Sequence, residues 1–152
     1  MPPVRWMTTT DAIALAAAGT VAGPLDPLTA LPGSRVLLGD AGPVLGRVAE
    51  AADATPAAGV LYRLRIGPRG VRRVELVWLG EVPFAAADAA EALFADLVAR
   101  GYAVYGWVAA PFAAAACAAG GAVLRRAGDR VLVALRPAAP QPSLNAPAAA
   151  VS

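Results

Sequence analysis

The stretch PFAAADAAEALFADLVARG, residues Pro83 to Gly101, lies between two strand-like runs, Val74 to Leu79 and Tyr102 to Val108. Ala90, Leu93, Phe94, Leu97 and Val98 recur within it at the spacing of one helical face. The stretch therefore reads as a helix that crosses between two strands and lays its apolar face on their sheet. That reading organises the rest of the chain around one α+β layer arrangement.

Upstream, Val60 to Ile66 and Val71 to Leu79 alternate in polarity. Tyr62, Leu64 and Ile66 share a face with Val74, Leu76 and Trp78, while Arg63, Arg65, Arg73 and Glu75 share the other. Matching these faces across a hairpin needs an odd loop. Pro68-Arg69-Gly70 supplies one, with Gly70 left-handed at a bulge and Arg63 opposite Glu75. Asp40-Ala41-Gly42 joins Arg35 to Gly39 and Pro43 to Val48 as a second hairpin, and Ala51 to Ala58 reads as a loop. At the start, Val4 to Met7 is a short strand, and Thr8 to Asp11 offers caps for a helix through Ala18. Between them, residues 20–34 are rich in Gly and Pro, with a helical turn over Pro27 to Leu31.

Downstream, Tyr102 to Val108 is aromatic and β-branched, as a buried strand requires. Pro111 opens an almost all-Ala helix that Gly120-Gly121 ends. Ala122 to Arg126 and Arg130 to Arg136 close the domain, residues 1–137, as a hairpin around Ala127-Gly128-Asp129. Residues 138–152 form a Pro- and Ala-rich tail, expected to be extended or ordered by a partner.

Composition narrows the chemistry. The chain has 152 residues, 58% of them hydrophobic, enough for the core of a single domain. Every basic residue is Arg, net charge is +2, and there is no His, so the commonest general base and metal ligand are both missing. Cys117 is the lone cysteine, which excludes an internal disulfide and a thiolate metal cluster. No metal site is expected. The uncharged run Gly101 to Leu124 is long enough to span a bilayer, but Pro111 and its Ala and Gly content argue against insertion. Asp11 stands where an export signal needs positive charge ahead of Ala12 to Ala18. A cytoplasmic protein without a membrane segment is expected.

The element order β-α-β-β-β-β-α-β-α-β-β, a mostly antiparallel twisted sheet covered by helices, resembles the GNAT (N-acetyltransferase) superfamily. VRWMTTTDAIALAAA resembles its first strand and helix, RVLLGDAGPVLGRVAE its second and third strands, and AAPFAAAACAAGGAVLRRAGDRVLVAL its last helix and terminal hairpin. The resemblance covers the domain up to the tail, with an enlarged segment 51–70. It implies a Gly-rich turn after the fourth strand, where backbone N–H groups at a helix N-terminus hold the diphosphate of acyl-CoA. Here the matching stretch, Ala85 to Glu91, has no glycine, and Asp88 and Glu91 form a D-x-x-E pattern that caps the helix with its own carboxylates. An Asn, a Tyr and a Gly-Phe pair expected around the last helix are replaced by Ala110, Cys117, and Gly121 with Ala122.

The resemblance makes Glu81 the candidate general base, with Cys117 or Tyr105 as candidate acids and Tyr102 as a further tyrosine. Leu79, Ala86, Ala87 and Ala89 would line a cofactor. With the glycines absent, we expect a degenerate member acting as a non-catalytic binding or assembly module, including a structural component of a larger particle, with no cofactor. The alternative is an acyl-CoA-dependent N-acetyltransferase with an atypical cofactor loop, using acetyl-CoA. A protein partner or a homo-oligomer through the apolar surface and the tail is expected. Arg63, Arg65, Arg69, Arg72 and Arg73 form the densest charge cluster. Without aromatics on the same face it reads as the solvated side of a hairpin; contact with nucleic-acid phosphates or another anion is its other reading.

Overall fold

In the computed structural model, which describes residues 1–17, 44–67, 70 and 72–137, the strands form one sheet. They are β1 (Val4–Trp6), β2 (Val44–Glu50), β3 (Pro56–Ile66), β4 (Arg72–Glu81), β5 (Ala103–Ala109), β6 (Ala122–Ala127) and β7 (Arg130–Leu135). Their order is β1-β2-β3-β4-β5-β7-β6. All neighbours are antiparallel except β4 and β5, which α2 (Ala89–Ala99) joins as a crossover helix. The opening stretch is thus a connection between adjacent strands, although its helix starts at Ala89 rather than near Pro83. Residues Pro83 to Asp88 form turns instead.

The sheet has two unlike faces. On one, α2 and α3 (Ala113–Ala118) cover Val60, Tyr62, Val74, Leu79, Val104, Val108, Val131 and Val133, with Leu93, Phe94 and Leu97 of α2 buried against them. On the other, α1 (Thr9–Ala17) packs Leu15 against Val44, Val48, Leu61, Val77 and Trp78. Gly59 lets α1 come this close, because a Cβ there would lie 2.5 Å from Leu15 Cδ1. The helix starts as a capping box: Thr8 N–H donates to Asp11 Oδ2 at 2.8 Å, and Asp11 N–H donates to Thr8 Oγ1 at 3.2 Å. Arg5 then grips Asp11 at 2.6 and 2.9 Å and Glu50 at 2.6 Å, tying β1, α1 and β2 together. These bonds hold the Asp11 carboxyl below its ordinary range and the Arg5 guanidinium above its own.

Several expectations shift. Residues 51–58 do not form a loop throughout, since β3 begins at Pro56 and lengthens the meander. In the β3–β4 hairpin, Ile66 pairs with Arg72 and encloses residues 67–71, an odd loop with Gly70 at φ 75°, and Arg63 stands opposite Glu75. The ion pair itself runs diagonally, from Arg65 to Glu75 at 2.9 Å. Farther along, a bulge at Leu61/Tyr62 pairs Leu61 with Trp78 and Tyr62 with Leu76. Trp78 therefore leaves the face of Val74 and Leu76 and enters the α1 side, because the extra residue, Val77, reverses the alternation. The all-Ala helix is short, with a 3₁₀ turn over Ala110–Phe112 ahead of Ala113–Ala118. The hairpin strand at Arg35 to Gly39, the helical turn at Pro27 to Leu31 and the tail 138–152 lie outside the described residues.

Candidate functional site

Where β4 and β5 run side by side they pair only from Arg73–Ala103 to Glu75–Tyr105. Beyond that, β4 continues to Glu81 and β5 to Ala109 without pairing, so the two strands part. The bulge bends β4 at this point. On the β5 side, Gly106 allows a tight crossing, since a Cβ there would come within 2.6 Å of Leu76 Cβ. The parting leaves the β5-facing backbone edge of Leu76 to Glu81 without a strand partner among the described residues.

At the far end of this gap lies a cleft of about 350 Å³ between the start of α2 and α3. Glu81, Ala87, Asp88, Ala90, Glu91, Pro111, Phe112, Ala114, Ala115 and Ala118 line it. Asp88 occupies the N-cap position of α2, but its side chain makes no capping hydrogen bond. The helix start is thus not closed by a Asp88–Glu91 box. Instead the Ala90 N–H acts on the Glu81 carboxylate, while burial outweighs it and pushes the Glu81 carboxyl above the ordinary glutamate range. In the preceding turn, the Ala85 N–H is engaged by the Val82 carbonyl at 3.2 Å. The N–H groups of Phe84, Ala86, Ala87 and Asp88 have no backbone acceptor among the described residues. Phe84 holds φ 61° and is fully exposed, a left-handed conformation that a bulky side chain resists.

The candidate residues are not all brought together. Glu81 lines the cleft, beside Ala87. Ala86 sits on the neighbouring side of the turn, against Glu50 and Ala51, while Leu79 and Ala89 are buried in the core. Cys117 is exposed on α3 and does not line the cleft. Tyr105 lies on the opposite face of the sheet, in a groove of about 310 Å³ with Glu75, Leu76, Val77, Gly106, Trp107 and Leu132. Trp107 was not singled out from the sequence. Its signal was the two-residue spacing from Tyr105, which puts both rings on one face of β5.

Among the described residues, no group of His, Cys, Asp and Glu is arranged to hold a metal ion, and no helix is long and apolar enough to cross a membrane.

No protein-family model matches the chain, and no curated protein sequence matches it. Solved structures do. A GNAT superfamily phosphinothricin acetyltransferase from Sinorhizobium meliloti, in complex with AcCoA, superposes with a TM-score of 0.60 at 14% identity, covering 92% of this chain and 92% of that one. A chimera of the Vibrio cholerae spermidine N-acetyltransferase SpeG and hSSAT superposes at 0.55 and 12% identity, covering 88% of this chain and 94% of that one. The fold is therefore that of the GNAT N-acetyltransferases.

Proposed function

We propose that the chain is an acyl-CoA-dependent N-acyltransferase with an atypical cofactor loop. The observation that carries this reading is the parting of β4 from β5 into a cleft at a helix N-terminus with unengaged backbone N–H groups. An open strand edge suits an extended ligand that hydrogen-bonds as a strand does, and the N–H groups of Phe84 and Ala86 to Asp88 suit a diphosphate. The GNAT fold, shared with a neighbour solved in complex with AcCoA, supports the same assignment. When bound, acyl-CoA would supply an acyl group activated as a thioester.

Within this reading, Glu81 takes the proton that an acceptor amine must lose before it attacks. Its raised pKa suits a base working nearer neutrality than an ordinary glutamate. Asp88 and Glu91 work against the cofactor phosphates, at about 1 kcal/mol per charge pair in water. Affinity for acyl-CoA should accordingly be modest.

The same carboxylates favour a second reading, a non-catalytic module of the GNAT fold. Glu81, Asp88 and Glu91 line the cleft without a cation among its lining residues, and both Tyr105 and Cys117 stand away from it. One pair of measurements separates the two. Isothermal titration with acetyl-CoA should give saturable binding, and thiol release in the presence of a panel of primary amines should depend on Glu81. Absence of binding and of thiol release would leave the non-catalytic module.

A further inference from the structure

We propose that the sheet face opposite α2, over β5, β7, β6 and the Arg73–Glu75 end of β4, which the described helices leave uncovered, binds single-stranded nucleic acid. The pairing register places the side chains. Arg63 pairs with Glu75 and Glu75 with Tyr105, while Arg65 pairs with Arg73, so all of these point to one face. Trp107 pairs with Leu132, and Leu132 with Arg125, which carries the same face to the edge strand. Arg130 follows opposite Ala109. Two aromatic rings thus stand between arginines from two separate hairpins, an arrangement that neither hairpin has alone.

Charge complementarity favours a polyanion. Along β4, β5, β7 and β6 the one carboxylate turned to this side is Glu75, and Arg65 already holds it at 2.9 Å. Arg73 and Arg125 are exposed and make no ion pair among the described residues. The rings argue for nucleic acid over other polyanions. Tyr105 and Trp107 are two residues apart on one strand, about 7 Å, and Trp107 is 38% exposed. They border the groove of about 310 Å³ opened where β4 and β5 part, which has room for a planar base. Sheet faces that stack unpaired bases on strand aromatics and hold the backbone with arginines use these components. The site stands apart from the cleft of Glu81 and needs no cofactor.

The test is fluorescence anisotropy of the full chain with labelled oligothymidylate and oligouridylate of about 15 nucleotides, across a salt series and without acyl-CoA. Binding should weaken with salt. Trp107→Ala should weaken it about 5- to 150-fold while Trp107→Phe keeps most of it. Arg73→Ala and Arg125→Ala should each flatten the slope of log affinity against log salt by about 0.7. Arg125→Glu, on an exposed edge, provides a variant that keeps the fold if Trp107→Ala does not. No binding at roughly 50 mM salt overturns the proposal. So does equal binding of heparin with no dependence on Trp107, which would mark a general polyanion surface. Since acyl-CoA is absent throughout, either reading can fail without the other.

Discussion

The two ends of the gap between β4 and β5 differ in every property that decides a ligand. The cleft at the start of α2 gathers Glu81, Asp88 and Glu91 around backbone N–H groups. The groove on the opposite face gathers Tyr105 and Trp107 beside Glu75, flanked by arginines. One is a helix terminus whose attraction for anions is opposed by its own side chains. The other is a pleated surface that spreads positive charge and flat rings. Both arise from one backbone event, the bulge in β4 together with the loss of pairing after Glu75. A single departure from sheet regularity thus creates two surfaces, and local sequence sets their opposite signs.

The comparison is broken most severely at Gly106. Gly106→Val would force a side chain into Leu76, whose backbone oxygen lies only 3.2 Å from the position of a Cβ. Denaturant unfolding should show a loss of about 3 kcal/mol or more, with both surfaces lost together. Retention of either alone would mean they do not share the crossing.

Glu81→Gln should lower acyl transfer by about 100-fold or more while acetyl-CoA binding persists. In the unaltered protein, the activity rise with pH should fall above the ordinary glutamate range, because burial raises this carboxyl. Stability carries the same sign. The fold favours protonated Glu81, so its contribution is full below the unfolded-state value and is lost as pH rises through the folded one. Glu81→Gln should therefore gain stability relative to the parent as pH passes through that window, as urea midpoints at acid and neutral pH would report.

A sharper contrast comes from Asp88→Asn and Glu91→Gln. Each should tighten acetyl-CoA binding by about fivefold, near 1 kcal/mol per relieved charge pair. Neither should alter oligonucleotide binding. The smallest effect is expected at Phe84→Gly, where relieving φ 61° should raise stability by about 0.5–1 kcal/mol in thermal or urea unfolding.

Much of the fold was legible because it depends on patterns within a few residues. The apolar face of α2, the odd hairpin loop with Gly70, and the Thr8–Asp11 start of α1 are all local. Trp78 was misplaced because alternation assumes an unbroken register, and no residue type announces a bulge at Leu61/Tyr62. The D-x-x-E cap was half legible. Asp88 does stand at the N-cap position, yet its side chain makes no cap bond, and the Ala90 N–H acts on Glu81 from the preceding strand. Side-chain direction at a helix start depends on the incoming turn, here Pro83 to Asp88.

The arginine cluster is the clearest case of what lies beyond one segment. In the β3–β4 hairpin the aromatic on the arginine face, Trp78, is buried under α1, and the more exposed rings come from β5, placed there by the pairing of Glu75 with Tyr105.

What the sequence determined alone was the type and order of the elements, since hydrophobic period, caps and turn residues act over a few positions. Tertiary structure decided which side chains share a face across strands and where β4 leaves β5. Those outcomes depend on pairing register and close backbone contact between residues far apart in the chain, such as Leu76 and Gly106.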